Sequence, residues 1–212
     1  MSSRAETTSR QERFENVVSQ GEEISEQNSE QTAQVKSETQ EIQQENGIEN
    51  EDTDTQEDTY ISIDEVKIFQ NMDLTIRTGL SRDDFITLIS GVKADTSGFF
   101  EENAGTIYDL CEEYSINEIF FCGLISAESG WNIAGNHRKT HNYISLMKNG
   151  KLINYATVEE GLRVAAQKLH TNYLTPGGKF YYGKTLSAVK TKFCPASSTW
   201  VSLVYGRMKQ II

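Results

Sequence analysis

The stretch Ile119-Phe-Phe-Cys-Gly-Leu-Ile125 constrains the fold more than any other part of the chain. Seven residues are far fewer than the roughly 20 that a membrane-spanning helix needs. Ser115-Ile-Asn-Glu118 ahead of the run reads as a capping box, with Ser115 as N-cap and Glu118 at N3. Gly130 behind it is well placed to stop a helix. The pattern therefore predicts a helix that is apolar almost all round, and such a helix must be buried. The rest of the chain has to supply a shell on every side of it. The same helix ends on a carboxylate, Glu128, with Ser129-Gly130-Trp131 directly behind.

The shell is predicted from the flanking sequence. Ser81-Arg-Asp-Asp84 is a helix start before Phe85, Leu88 and Ile89. A second helix is expected from about Phe99 to Tyr114, with Phe99, Asn103, Ile107, Leu110 and Tyr114 on its inner face. Beyond a short loop rich in Asn, His and Lys, two β-prone runs flank Lys148-Asn-Gly-Lys151, a strong hairpin signal. Thr157-Val-Glu-Glu160 opens a helix carrying Leu162, Ala165, Ala166 and Leu169. Further helices are expected near 185–193 and 199–211, the last amphipathic through Trp200, Val204, Met208 and Ile211. The fold class read from these elements is mainly α (α+β), with a small β-hairpin lobe, over residues 59–212.

Charge divides the chain into three parts. Residues 1–60 carry a net −12, residues 61–128 a net −9 and residues 129–212 a net +10, within a total of −11. Residues 1–58 are Glu, Gln, Ser, Thr and Asn with scattered apolar residues, too few to offset the entropy of ordering. They are read as a disordered acidic arm, with Phe14, Val17 and Val18 as one short anchor for a partner. Three cysteines, Cys111, Cys122 and Cys194, in no CxxC pair argue against a disulfide framework or a zinc ribbon. His137 and His141 stand four apart in what reads as loop, with no third ligand, so no metal and no cofactor is expected. The basic residues from Arg138 to Lys209 lack an interleaved aromatic platform, which disfavours nucleic acid and suits steering toward an anionic polymer. The N-terminus has no continuous apolar core of the kind a secretory signal needs, and no membrane span is expected.

Glu128 is the candidate catalyst. Burial and the negative end of its helix both disfavour the anion. A carboxylic acid that keeps its proton near neutrality is what general acid catalysis requires. Trp131 offers a flat face suited to a sugar ring.

The order Glu128-Ser-Gly-Trp131, His141-Asn-Tyr-Ile-Ser-Leu146, Tyr155-Ala-Thr157 and Trp200-Val-Ser-Leu-Val204 resembles a known family. It is that of the bacterial and phage endo-β-N-acetylglucosaminidases, which includes the flagellar-type peptidoglycan hydrolase domain of the lysozyme-like superfamily. The resemblance covers roughly residues 72–212. It implies a lysozyme-like domain that cleaves β-1,4 bonds of cell-wall glycan. Glu128 would be the catalytic acid, and Trp131, Asn142, Tyr143 and Tyr155 would line the glycan groove. Three positions depart from the family: Asn132 and Ser145 stand where it has Gly, and Phe193 where many members carry a Tyr implicated in catalysis. Tyr143, Tyr155, Tyr181 and Tyr182 are the available substitutes. Glu128-Ser-Gly-Trp-Asn132 and Ser145-Leu-Met147 also resemble lytic transglycosylases, although Lys148 occupies the place of their Gln. A transglycosylase or muramidase, and a non-catalytic virion protein of this fold, are the other readings. Delivery by a phage particle or lysis system follows from the missing signal, with residues 1–58 docking to virion proteins. Export by another route stays open.

Past Glu128 the only acids are Glu159 and Glu160, so a mechanism with one essential carboxylate is expected. The substrate's own N-acetyl group would then take the place of a second carboxylate.

Overall fold

The computed structural model describes residues 60–212. The acidic arm assigned to residues 1–58 lies outside the described residues, and so does any docking through it. Among the described residues a short 3-10 turn, Ile63–Glu65, precedes seven α-helices and one hairpin: α1 (Arg82–Ser90), α2 (Phe99–Glu113), α3 (Glu118–Ser129), α4 (Asn136–Thr140), β1 (Met147–Lys148), β2 (Lys151–Leu152), α5 (Val158–Lys168), α6 (Leu186–Phe193) and α7 (Trp200–Met208). A single π-helical turn, Leu169–Leu174, continues α5.

α3 is the axis of the core. Residues 118–126 and Glu128 are all buried, so the helix has no solvent face. It packs most extensively on α7, and also on α2. Gly123 makes the α3–α7 approach possible, because a Cβ there would stand 2.6 Å from Met208 Cγ and 3.3 Å from the Met208 backbone N. α2 buries Phe100, Ala104, Ile107, Tyr108, Leu110 and Cys111. That face is rotated from the expected one, and Phe99 and Asn103 turn out toward a cleft instead.

The start of α3 departs from the capping box read at Ser115. Asn117 is the N-cap, its side chain accepting from Phe120 N at 3.0 Å, while Ser115 takes a left-handed φ of 48°. Glu118 is thus the first helical residue, where its charge suits the helix dipole. The reason for the shift is a distant segment. Residues 74–80 cross the helix start, where Asn117 Nδ2 donates to Ile76 O (2.8 Å) and Asn117 N to Leu74 O (2.8 Å). Glu118, fully buried, accepts from Arg77 Nε at 2.5 Å and from Thr78 N at 3.0 Å.

The hairpin forms as its Asn-Gly signal requires. Met147 pairs with Leu152 and Lys148 with Lys151, and Asn149 (φ 51°) and Gly150 (φ 73°) are both left-handed, as a two-residue primed turn demands. Thr157 caps α5 by accepting from Glu160 N at 3.1 Å, but the Glu160 carboxylate reaches one residue further back, accepting from Ala156 N.

A Gly123→Ala substitution tests the α3–α7 contact. Helix propensity alone favours Ala by about 1 kcal/mol, yet overpacking should dominate, with a net loss of about 1–3 kcal/mol in urea unfolding. A midpoint at or above wild type would contradict the close approach.

Candidate active site

Glu128 sits one residue from the end of α3 and is 7% exposed. Its Oε1 accepts a hydrogen bond from Trp200 Nε1 at 3.1 Å. Trp200 is the first residue of α7 and is itself buried, its backbone N–H donating to Ser197 Oγ at 3.1 Å. An indole N–H only donates. It therefore orients the carboxyl group without being able to take a proton from it. Behind Trp200 the aromatic wall continues through Phe193, 5.4 Å between ring centroids, to Tyr173, another 5.4 Å. Phe193 is fully buried in this wall. The position that departs from the resembling family's Tyr is here an apolar link between two other rings.

The periodicity of its helix and the order of motifs mark Trp200 in the sequence. Its donation to Glu128 spans 72 residues and has no local signature.

The loop after α3 is pinned back on the helix. Gly130, with φ 77°, ends α3 and reverses the chain. Ser129 Oγ donates to Tyr143 O at 2.6 Å, tying the residue beside Glu128 to the start of the hairpin lobe. Trp131 does not present a face to solvent. It is buried, its ring set edge-on against Phe100 at 4.8 Å, and its Nε1 donates to Gln210 Oε1 at 2.7 Å. The reversal at Gly130 drops the indole into the core, so the sugar-stacking surface assigned to it is absent from this arrangement. Asn142 is likewise interior. Its Nδ2 donates to Leu146 O (2.7 Å) and Ile153 O (3.0 Å), and its Oδ1 accepts from Leu146 N (2.8 Å). Its three bonds hold the hairpin's two ends together and engage the carboxamide, expected to line a glycan groove, within the lobe.

Asn132 and Ser145, the two positions departing from Gly, differ in kind. Asn132 Oδ1 accepts from Thr96 N (3.1 Å) and Thr96 Oγ1 (2.9 Å), latching the loop to the segment before α2. Ser145 adopts φ 59°, a left-handed conformation that Gly adopts without strain.

Tyr143 and Tyr155 flank the hairpin lobe. The Tyr143 ring lies against Phe99 at 4.9 Å and forms one wall of a cleft. Tyr155 is half-buried, its N–H donating to Thr140 O and its carbonyl accepting from His141 Nδ1, both at 2.9 Å. Burial pushes both phenols up to about 12. Each therefore acts as a neutral hydroxyl across the neutral range. Tyr182 is largely exposed and Tyr181 half-buried. His137 lies in α4, a short helix where loop was expected, and its Nδ1 meets Asn142 O at 2.7 Å. Among the described residues no group of three or more His, Cys, Asp and Glu is arranged to hold a metal ion. No helix among them is long and apolar enough to cross a membrane.

No family model and no curated protein matches the chain. Solved structures do. A catalytic mutant of S. aureus autolysin E in complex with the disaccharide NAG-NAM superposes with a TM-score of 0.53 at 13% identity, covering 67% of this chain and 71% of that one. Autolysin E in complex with the muropeptide NAM-L-Ala-D-iGlu gives 0.54 at 13% identity, covering 69% and 72%. Autolysin E by itself gives 0.53 at 14%, covering 67% and 70%. At this identity the likeness establishes the fold. The chain has the mainly helical, lysozyme-like architecture with a small hairpin lobe that its sequence leads one to expect.

The raised phenols set a pH dependence. Between about pH 10 and 12 the folded state keeps the Tyr143 and Tyr155 protons while the unfolded chain loses them. Their contribution to stability is intact below pH 10 and lost as pH rises through 12. In an alkaline absorbance titration the late-ionising component, to which Tyr108 and Tyr114 also contribute, should shrink in a Tyr143→Phe, Tyr155→Phe variant. An unaltered curve would remove both phenols from the buried class.

Proposed function

We propose that this chain is a peptidoglycan hydrolase, an endo-β-N-acetylglucosaminidase in which Glu128 is the general acid. The observation that carries the reading is a buried carboxylate at the end of the core helix, oriented by the Trp200 indole N–H. It occurs in a fold shared with an autolysin that binds NAG-NAM. In this reading Glu128 protonates the glycosidic oxygen as the sugar C–O bond breaks. Tyr155, as a neutral hydroxyl, serves as a hydrogen-bond donor to the glycan, and Tyr143 backs the lobe from its buried position. Trp200 positions the acid through its indole N–H. Delivery as part of a phage particle or lysis system, with residues 1–58 engaging virion proteins, belongs to the same proposal.

The test is digestion of purified peptidoglycan and identification of new chain ends by mass spectrometry. Reducing GlcNAc ends are expected. Anhydro-MurNAc ends would transfer the chain to the lytic transglycosylases, and no release would leave a structural role. Glu128→Gln keeps the side-chain shape and removes the transferable proton. It should lower wall-clearing activity by about 10²–10⁴-fold, the usual contribution of general acid catalysis, without altering the fold. Full activity in a folded Gln variant would reject the assignment.

The second carboxylate can be tested separately. Glu159 is exposed and lies 3.5 Å from Arg163, which also binds Glu113, and Glu160 is held at the Ala156 amide. Both acids are engaged in securing α5, which supports a mechanism with one protein carboxylate and assistance from the substrate's N-acetyl group. Glu159→Gln and Glu160→Gln should each retain activity within a few-fold of wild type on intact sacculi. A Glu159→Gln loss as deep as that of Glu128→Gln, in a folded protein, would make Glu159 the missing base.

A further inference from the structure

A cavity of about 230 Å³ is enclosed by α2, the loop that follows α3, α4, Tyr143 and the start of α5. Its apolar floor comes from Phe99, Ile133 and Val158. Two charges of opposite sign stand over that floor, Glu102 from α2 and Arg138 from α4. Both are exposed, and neither forms an ion pair among the described residues. The arrangement follows from the charge division of the chain. α2 belongs to the acidic half of the domain and α4 to the basic half, so the cavity straddles their boundary with one group from each.

This lining selects its ligand. A simple anion would be drawn to Arg138 and repelled by Glu102, and a metal ion would meet the reverse. A neutral sugar would leave both charges unanswered. A group that carries a carboxylate and an ammonium a few ångström apart satisfies both at once. The size points the same way, since 230 Å³ is below the roughly 300–1,000 Å³ of sites for drug-sized ligands and suits one or two amino-acid residues. The cavity is also linked to the acid. Asn132 on its rim is four residues from Glu128, and Tyr143 in its wall is bonded to Ser129 through its carbonyl.

We propose that this cavity is a zwitterion subsite that receives the end of a peptide branch attached to the glycan, its carboxylate on Arg138 and a diamino-acid ammonium on Glu102. The subsite rests on the peptidoglycan reading and extends it from the glycan to the peptide. It would set which strands are cut, by holding peptide-bearing strands beside Glu128.

The experiment uses the full chain carrying Glu128→Gln and measures binding, so it does not depend on cleavage. The probe is a synthetic tetrapeptide with a free C-terminal carboxylate and a diamino-acid side-chain ammonium, followed by isothermal titration and by NMR of Tyr143 and Ile133. Amidating the carboxylate and acetylating the ammonium should each weaken binding by about tenfold. Arg138→Gln should abolish the amidation penalty and keep the acetylation penalty, and Glu102→Gln should do the opposite. Lys139→Gln, next to Arg138 but outside the cavity, should keep both. No binding, or penalties that ignore which residue is changed, would overturn the subsite. A chain that binds the peptide but releases no glycan overturns the hydrolase reading alone. One that cleaves sacculi but ignores the peptide overturns the subsite alone.

Discussion

Everything in this domain is arranged around a helix that must be buried on all sides while bearing a carboxylate near each end. The two ends solve that problem differently. At the start of α3, Glu118 is fully enclosed and is neutralised by Arg77, whose guanidinium also lies 4.2 Å from the centre of the Tyr108 ring. Removing one member of such a buried pair typically costs about 3–5 kcal/mol, because the other charge is stranded. At the far end Glu128 keeps a small exposed area and accepts from Trp200, a neutral donor. A cation closes the structural end. The Trp200 indole, which cannot exchange a proton, orients the carboxyl group at the other.

The short loop after α3 carries a second set of constraints. Ser129, Trp131 and Asn132 each tie it to a different part of the molecule: the hairpin lobe, the C-terminal Gln210 and the segment before α2. Position 132, where the resembling family has Gly, is thus used here for a latch. At position 145 the chain instead retains the left-handed backbone with a Ser, at a cost of about 1 kcal/mol for a residue with a Cβ. The three Asn142 hydrogen bonds around that turn offset the strain. The loop is held by polar side chains that look, in isolation, like groove residues.

The division of charge has a structural counterpart. The acidic helices and the basic C-terminal half meet across the core, and their surfaces adjoin at the cleft between α2 and α4. An average pI near 4.8 conceals that boundary.

The sequence by itself determined the elements whose signals are local. The buried helix is legible because seven apolar residues admit no solvent face. The hairpin is legible because Asn149-Gly150 supports two left-handed residues, and the starts of α1 and α5 because Ser81 and Thr157 cap the amide three residues on. The position of a lone carboxylate at the end of the apolar helix was legible for the same reason. The orientation of side chains was not. Asn117 displaced Ser115 as cap because residues 74–80, some 40 positions earlier, bring carbonyls that accept from Asn117 and an amide that donates to Glu118 at that helix end. Trp131 and Asn142 have the residue types of a glycan surface but were drawn inward by Gln210 and by the hairpin carbonyls. Trp200 reached Glu128 only because Gly123 lets α7 lie close on α3. Capping and periodicity act within one or two turns of chain, whereas the direction a polar side chain faces depends on which distant partner packing brings within 3 Å.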